Sequence, residues 1–176
     1  MKWITRERPK IDRIACPWLI ARFIDKEPEF LYVPGDQVMS AAAQTGATPY
    51  DVPNVEYTHV GDDCSFDTFI KRHKLADKGL LDMAAIIRGA DTGRLDLAPP
   101  AAGLLAISLG LSHNFSNDHE MLAHGMVMYD ALYSWCCHAQ GEKHNWAYPP
   151  GIFNCLAKTR ARLAGQLCAL NAAVRP

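Results

Sequence analysis

The segment NDHEMLAHGMVMYDALYSWCCHA, residues 117–139, predicts a long helix around which the rest of the chain packs. It contains no proline, and apolar side chains recur at three- and four-residue steps along two of its sides. A helix that is apolar nearly all round is expected to be buried. Ser116 or Asn117 is suited to cap its first turn, and Gly141 is suited to end it. The two apolar rows are Leu122, Met126, Tyr129 and Tyr133 on one side and Met121, Met128, Leu132 and Trp135 on the other.

Asp130 is a carboxylate within this otherwise apolar helix. Burying an unpaired carboxylate is costly, so Asp130 requires a structural charge partner such as an arginine or a metal ion. Arg88 is one candidate, because it follows an apolar turn and precedes Gly89, which suits the end of a helix. His119 lies about three helical turns before Asp130 and therefore on the same side of the helix.

Length and composition predict one globular domain over residues 1–176, long enough for a substantial core and short for two domains. Lysine and arginine (18) nearly balance aspartate and glutamate (19), so direct nucleic-acid binding is not expected. No secretory signal or membrane-length apolar run is present, which leads us to expect a cytoplasmic protein without membrane association. The six cysteines lack CxxC spacing and are expected to be reduced thiols, most of them buried.

Local patterns predict a helix-rich α+β domain with a small N-terminal sheet packed on the central buried helix. Strands are predicted at residues 2–6, 29–33 and 55–59. The first helix is expected to begin at Pro17 with Cys16 as its N-cap, because proline is favoured at the first helical position and breaks a helix interior. Further helices are predicted at residues 36–44, after a cap at Ser65, and at 80–88, 100–111 and 152–172.

Arg13, Cys16 and the expected helix start at Pro17 form a first candidate site. Free backbone N–H groups at a helix start favour anions, and Arg13 adds a positive charge with a planar fork of donors. The same field would lower the pKa of Cys16 and make it a candidate catalytic thiolate. The alternative, which the local pattern favours, is that Asp12 pairs with Arg13 while Cys16 fills core space.

The segment EYTHVGDDCSFD, residues 56–67, forms a second candidate site around a glycine turn. Histidine, carboxylate and thiolate are usual ligands of zinc, iron and similar divalent ions. No closed four-ligand spacing is visible, so a metal would need further ligands from the central helix; a solvated loop that caps the next helix is the favoured alternative. The candidate metal ligands are His59, Asp62, Cys64, His119 and Glu120.

Several segments together resemble the chromate-resistance protein ChrB family, specifically its C-terminal domain. They are WITRERPKIDRIACPWLIARFID, FLYVPGDQV, THVGDDCSFD, IIRGADTGRLDLAPPAAGLLAISLGL and MVMYDALYSWC, and the resemblance covers residues 3–137. Longer relatives carry an additional N-terminal region and are associated with chromate-responsive regulation of an efflux operon. This chain begins almost at the domain, so we do not expect it to act alone as a repressor. The motif residues are Asp12, Arg13, Cys16, Pro17, Trp18, Arg22, His59, Cys64, Asp67, Arg88, Asp91 and Asp130.

The resemblance implies a chromate-resistance domain of the stress response, and the candidate residues predict that it binds a metal ion, an oxyanion or both, in a sensor or accessory role. Chromate is a tetrahedral dianion, and guanidinium groups suit such a ligand. The alternatives are a metal- or thiol-dependent enzyme such as a chromate reductase acting through Cys16, and a regulatory module that works with a separate DNA-binding protein partner. The expected oxyanion ligands are Arg13, Arg22 and Arg88.

Overall fold

The computed structural model describes residues 1–142, of which Met1–Gly141 form one compact unit. Within it lie three short strands and a series of helices, so the predicted helix-rich α+β class is confirmed. The predicted helix at 152–172 lies outside the described residues. The prediction of one domain over the whole chain extends beyond this unit and stays a prediction.

The sheet has three parallel strands, β1 (Lys2–Arg6), β2 (Glu29–Val33) and β3 (Thr48–Pro49), in the order β2-β1-β3. The first two strands lie where the sequence predicts them. The predicted strand at 55–59 is wrong, because this segment makes a single bridge through Tyr57 and otherwise forms a loop. The Tyr57 ring stacks on Phe69 with a centroid separation of 4.3 Å, which fastens the loop to the core by a side chain rather than by a strand ladder.

The first helix, α1 (Asp12–Leu19), begins five residues before Pro17 and continues into a π-helical turn, Ile20–Ile24. The predicted start at Pro17 with Cys16 as N-cap is therefore wrong. Proline has no N–H to donate to the carbonyl four residues earlier, here that of Arg13. The hydroxyls of Tyr32 and Tyr50 donate to that carbonyl instead, at 3.5 and 3.4 Å. This tertiary compensation allows the proline to lie inside the helix.

The remaining helices follow the predicted order with shifted ends. Asp77 caps the helix Lys78–Asp91 by accepting the N–H of Leu80 at 2.8 Å. Asn117 caps the last one by accepting the N–H groups of His119 and Glu120, each at 3.0 Å, as its position in the sequence predicts. The helices are α2 (Val38–Thr45), α3 (Ser65–Arg72), α4 (Lys78–Asp91), a 3₁₀ turn (Leu95–Leu97), α5 (Ala101–Asn114) and α6 (Asp118–His138).

Helix α6 is the central helix, in contact with α1, α4 and α5. It approaches α1 closely at Gly125, where an added Cβ would lie 2.3 Å from Cγ2 of Ile14. Glycine is therefore required for the two helices to approach this closely. Burial is one-sided, since Val127 is 65% exposed and Trp135 37% exposed. The expectation of burial nearly all round is wrong in this respect.

Asp130 on α6 is paired as expected, but its partner is Arg22 rather than Arg88. Nε and Nη2 of Arg22 donate to the two carboxylate oxygens, each at 2.9 Å, and Nε1 of Trp18 donates at 2.8 Å. Arg22 reaches α6 from the π-helical turn after α1. Arg88 instead donates to Asp67 at 2.8 Å.

Candidate cation site

Carboxylates from three other segments of the chain meet at the imidazole of His59. Asp12 begins α1, Asp51 follows β3, and Asp91 ends α4. Nε2 of His59 lies 3.5 Å from Oδ2 of Asp12. It also lies 3.3 Å from Oδ1 of Asp51 and 3.3 Å from Oδ2 of Asp91. One ring nitrogen is thus surrounded by three carboxylates.

Asp12 is held rigidly by the start of α3. Its buried carboxylate accepts the backbone N–H of Ser65 at 2.6 Å and that of Phe66 at 3.2 Å. These donors belong to the first turn of α3, where free N–H groups favour a negative charge. The preceding residue, Ile11, has φ of 29°, a region that β-branched residues rarely adopt, and its carbonyl accepts the Tyr129 hydroxyl at 3.0 Å. The central helix therefore helps to fix Asp12.

Asp51 lies between His59 and two arginines. Nη2 of Arg6 donates at 2.9 Å to its Oδ2, and Nε of Arg13 lies 3.4 Å from the same oxygen. Oγ of Ser65 donates to the other oxygen at 2.9 Å. Burial raises the pKa of Asp51, but hydrogen bonds from His59 and Ser65 and the charge of Arg6 outweigh it and lower that pKa below its usual value. Asp51 is therefore a fixed negative charge at the site.

The pKa values of Asp91 and His59 are both raised at this site. Burial, followed by the charges of Asp12 and Asp51, raises the pKa of Asp91 to about 7. Hydrogen bonds to Asp12 and Asp51 raise the pKa of His59 to about 10, against the opposing effect of burial. The imidazole is therefore protonated at neutral pH. The resulting imidazolium is the cation that the three carboxylates surround.

Asp12, His59 and Asp91 have the geometry of a metal-ligand group, since one donor atom from each lies within 4.8 Å of the others. Carboxylate oxygens and an imidazole nitrogen suit divalent first-row ions such as Mn²⁺, Fe²⁺ and Zn²⁺. Asp51 adds a carboxylate beside this group. The side chain of His59 is 42% exposed, which gives an ion a path to the site.

The structure does not bring the sequence-predicted ligand set together around His59. Cys64 is buried as the N-cap of α3, and its Sγ donates to Asp67 at 3.3 Å. His119 packs against Tyr32, with ring centroids 5.4 Å apart, and Glu120 lies in the capped first turn of α6. Asp62 is exposed.

Cys16 does not have the environment of a reactive thiolate. It lies inside α1, fully buried, and its Sγ donates to Oδ1 of Asp12 at 3.7 Å. Burial, followed by the negative charge of Asp12, raises its pKa well above the usual value. The expected lowering of this pKa is wrong, because Cys16 lies inside α1 rather than at its start, and the first N–H groups of the helix bond to the carbonyls of Lys10 and Ile11.

The three arginines predicted to bind an oxyanion are each engaged by a different carboxylate. Arg13 lies against Asp51, Arg22 forms the two-point pair with Asp130, and Arg88 pairs with Asp67. Burial, followed by the charge of Arg6, lowers the pKa of Arg13. The described residues thus hold these guanidinium groups in separate ion pairs.

Three carboxylates of the site were missed as metal ligands in the sequence. Asp12 and Asp91 fall in recognisable motifs, but their sequence neighbours Arg13 and Arg88 offered simpler ion-pair partners. Asp51 has no local signal beyond its place in a turn. The place of Asp12 and Asp91 at the ends of α1 and α4 could have pointed to them, but the sequence predicts these helices to begin at Pro17 and to end at residue 88.

A groove of about 560 Å³ adjoins the site. It is lined by residues 61–63, which follow His59, and by Thr92, which follows Asp91, together with Arg88, Arg94 and Leu97. The groove and the cation site therefore share the His59 loop and the C-terminal end of α4.

The fold and this site define a helix-rich α+β domain with a carboxylate–histidine centre. The chain belongs to the ChrB C-terminal domain family, whose model matches residues 3–136. It is 33% identical over 134 residues to Protein ChrB of Cupriavidus metallidurans CH34, a match covering 76% of this chain and 40% of that protein. The chain thus spans well under two thirds of this curated relative. No solved structure matches it. Among the described residues, no helix combines the length and apolar character needed to cross a membrane.

Proposed function

We propose that this domain binds a divalent metal ion through Asp12, His59 and Asp91 and serves chromate resistance as a sensor or accessory domain. The observation that carries the proposal is the position of His59 Nε2 within 3.5 Å of carboxylates from three other segments. The link to chromate resistance rests on the family to which the chain belongs. The link to a cation rests on the carboxylate oxygens and the imidazole nitrogen of the site.

The charge balance of the site favours a metal ion over a proton. Three carboxylates face one imidazolium, while Arg6 and Arg13 contact only one of them, Asp51. Loss of the His59 proton would expose a nitrogen lone pair to a space already bordered by carboxylate oxygens. A divalent ion in that space would compensate more negative charge than the proton it replaces.

Metal binding at this position also supplies a route to a sensor response. The ligands come from the start of α1, the loop before α3 and the end of α4. An ion that draws these segments together would stabilise one arrangement of them over others, which is the requirement for a ligand-driven switch. A thiol-based reductase receives less support, because Cys16 is buried and its pKa is raised.

The metal proposal is tested by isothermal titration calorimetry and elemental analysis of the full chain with Mn²⁺, Zn²⁺ and, without oxygen, Fe²⁺. We expect one ion per chain in the parent and loss of binding in His59→Ala and Asp91→Asn. Asp62→Asn and His119→Ala are matched controls, because both residues lie outside the group, and they should retain the ion. Failure of all three metals to bind the parent, or retention of binding in both site variants, would overturn the proposal.

A further inference from the structure

Helix α5 combines an uncharged sequence with a largely exposed surface. Its fourteen residues, AAGLLAISLGLSHN, include no lysine, arginine, aspartate or glutamate. Only Ala101, Leu104, Ser108 and Ser112 are buried, whereas Ile107 is 56% exposed and Leu109 45% exposed. A helix without a charged side is normally buried all round. The packing within the described residues therefore leaves an apolar side of α5 uncovered.

No contact within the described residues explains why positions 103 and 110 of this helix are glycine. Glycine weakens a helix interior because it loses more backbone freedom than any other residue. A Cβ built at either position would meet no atom within 4 Å. By contrast, a Cβ at Gly125 of α6 would lie 2.3 Å from a side-chain atom of Ile14. The lack of side chains at Gly103 and Gly110 points to close approach by a backbone from outside this unit.

We propose that α5 packs antiparallel against α5 of a second copy of this chain, across a two-fold axis. Ala106 and Ile107 lie three and four residues after Gly103 and four and three residues before Gly110, so the four residues share a face. An axis between positions 106 and 107 places Gly103 opposite Gly110 of the second copy. It also places the large Ile107 opposite the small Ala106 of the second copy. The face is complementary to itself, as a two-fold interface requires.

The absence of charge favours a second copy over a different protein. Charged groups across an interface select one partner and exclude others. This face of α5 has no charged group that could select a different protein. One helix pair about 21 Å long is small for a stable interface, so the dimer is expected to be weak and to depend on protein concentration.

The test is sedimentation equilibrium of the full chain over a wide concentration range, without added metal. We expect the parent to dimerise and Ile107→Glu to raise the dimer dissociation constant at least about tenfold, since the change occurs twice in a two-fold interface. Met39→Glu on α2 is the matched control, because Met39 is also exposed, at 55%, and should leave dimerisation unchanged.

A second variant guards against misfolding of the first. The double change Gly103→Ala and Gly110→Ala favours the helix and should keep the chain folded, yet the added methyl groups should weaken the dimer. Dimerisation equal to that of the parent in both variants would overturn the proposal. A monomeric parent would also overturn the proposal. Hydrogen exchange would then tell whether residues 143–176 protect α5 or whether the helix is exposed to solvent.

Discussion

The carboxylate of Asp12 accepts the backbone N–H of Ser65 at 2.6 Å, so the residue that begins α1 also caps α3. A second bond, from the N–H of Phe66 at 3.2 Å, completes the cap. The same carboxylate lies 3.5 Å from His59. One side chain thus joins two helices to the candidate cation site, and changes at Asp12 should affect both folding and binding.

Asp12→Ala is expected to lower the free energy of unfolding by about 1–3 kcal/mol, because two buried N–H groups lose their acceptor. Urea denaturation followed by circular dichroism measures this change. Asp62→Ala, at an exposed aspartate in the nearby loop, should change stability by less than about 0.5 kcal/mol. Equal effects of the two substitutions would show that the cap on α3 contributes nothing.

Regular local patterns account for the part of the fold that the sequence predicts correctly. The β-branched and aromatic residues of β1 and β2 define both strands, and helix-favouring residues between start and stop signals locate α4, α5 and α6. The error at Pro17 has a tertiary origin. The carbonyl of Arg13 is satisfied by two tyrosine hydroxyls that arrive from β2 and from the segment after β3, and no local pattern contains that information.

Breaking the Arg22–Asp130 pair should be strongly destabilising, because the two side chains are only 11% and 15% exposed. Arg22→Met leaves Asp130 with Trp18 as its remaining partner, and the expected cost is about 3–5 kcal/mol. Asp130→Leu in the same chain should recover part of this loss, since no uncompensated carboxylate remains. Chemical denaturation of the parent, both single variants and the double variant gives the coupling energy.

Arg88 provides the control for this double-mutant cycle. The sequence made it one candidate partner of Asp130, but it pairs with Asp67. The effects of Arg88→Met and Asp130→Leu should therefore add to within about 0.5 kcal/mol. Strong coupling between Arg88 and Asp130, with none between Arg22 and Asp130, would contradict the observed pairing.

Only His59 of the candidate site could be predicted from the sequence, because the other ligands are brought to it by tertiary packing. His59 and its acidic loop stand out because histidine, cysteine and carboxylates are concentrated there. Its actual neighbours, Asp12, Asp51 and Asp91, come from three other parts of the chain. Their convergence depends on how α1 and α4 pack around α3, which follows from side-chain packing and not from spacing along the sequence.

Protonated His59 should stabilise the metal-free protein at neutral pH. Its pKa is raised to about 10 in the folded chain, compared with about 6.5 for an unperturbed histidine. A raised histidine pKa contributes stability that is fully present below about pH 6.5 and is lost as the pH rises towards 10. The stability difference between the parent and His59→Gln should therefore shrink over that interval. Urea midpoints at pH 6, 8 and 10 measure it, and a constant difference would contradict the raised pKa.

Asp91→Asn should stabilise the metal-free protein while removing its metal binding. The pKa of Asp91 is raised to about 7 when folded, above the usual carboxyl value near 3.9. Folding therefore favours the protonated form, and the carboxylate lowers stability progressively as the pH rises from about 4 to 7. A neutral amide removes this penalty, so the variant should gain most relative to the parent above pH 7. Thermal melts at pH 5 and pH 8 provide the comparison, and an equal or larger gain at pH 5 would contradict the assignment.

Metal binding at pH 8 should release about one proton per ion, because His59 is protonated in the metal-free site and must offer a lone pair to the metal. Asp91, with a pKa of about 7, is already mostly ionised at this pH and should contribute little. Calorimetric titrations in two buffers of different ionisation enthalpy count the protons released. His119→Ala should give the same count as the parent, because His119 packs against Tyr32 away from the group. Binding with identical heats in both buffers would show that the metal does not displace the His59 proton, and would direct the search for its ligands elsewhere.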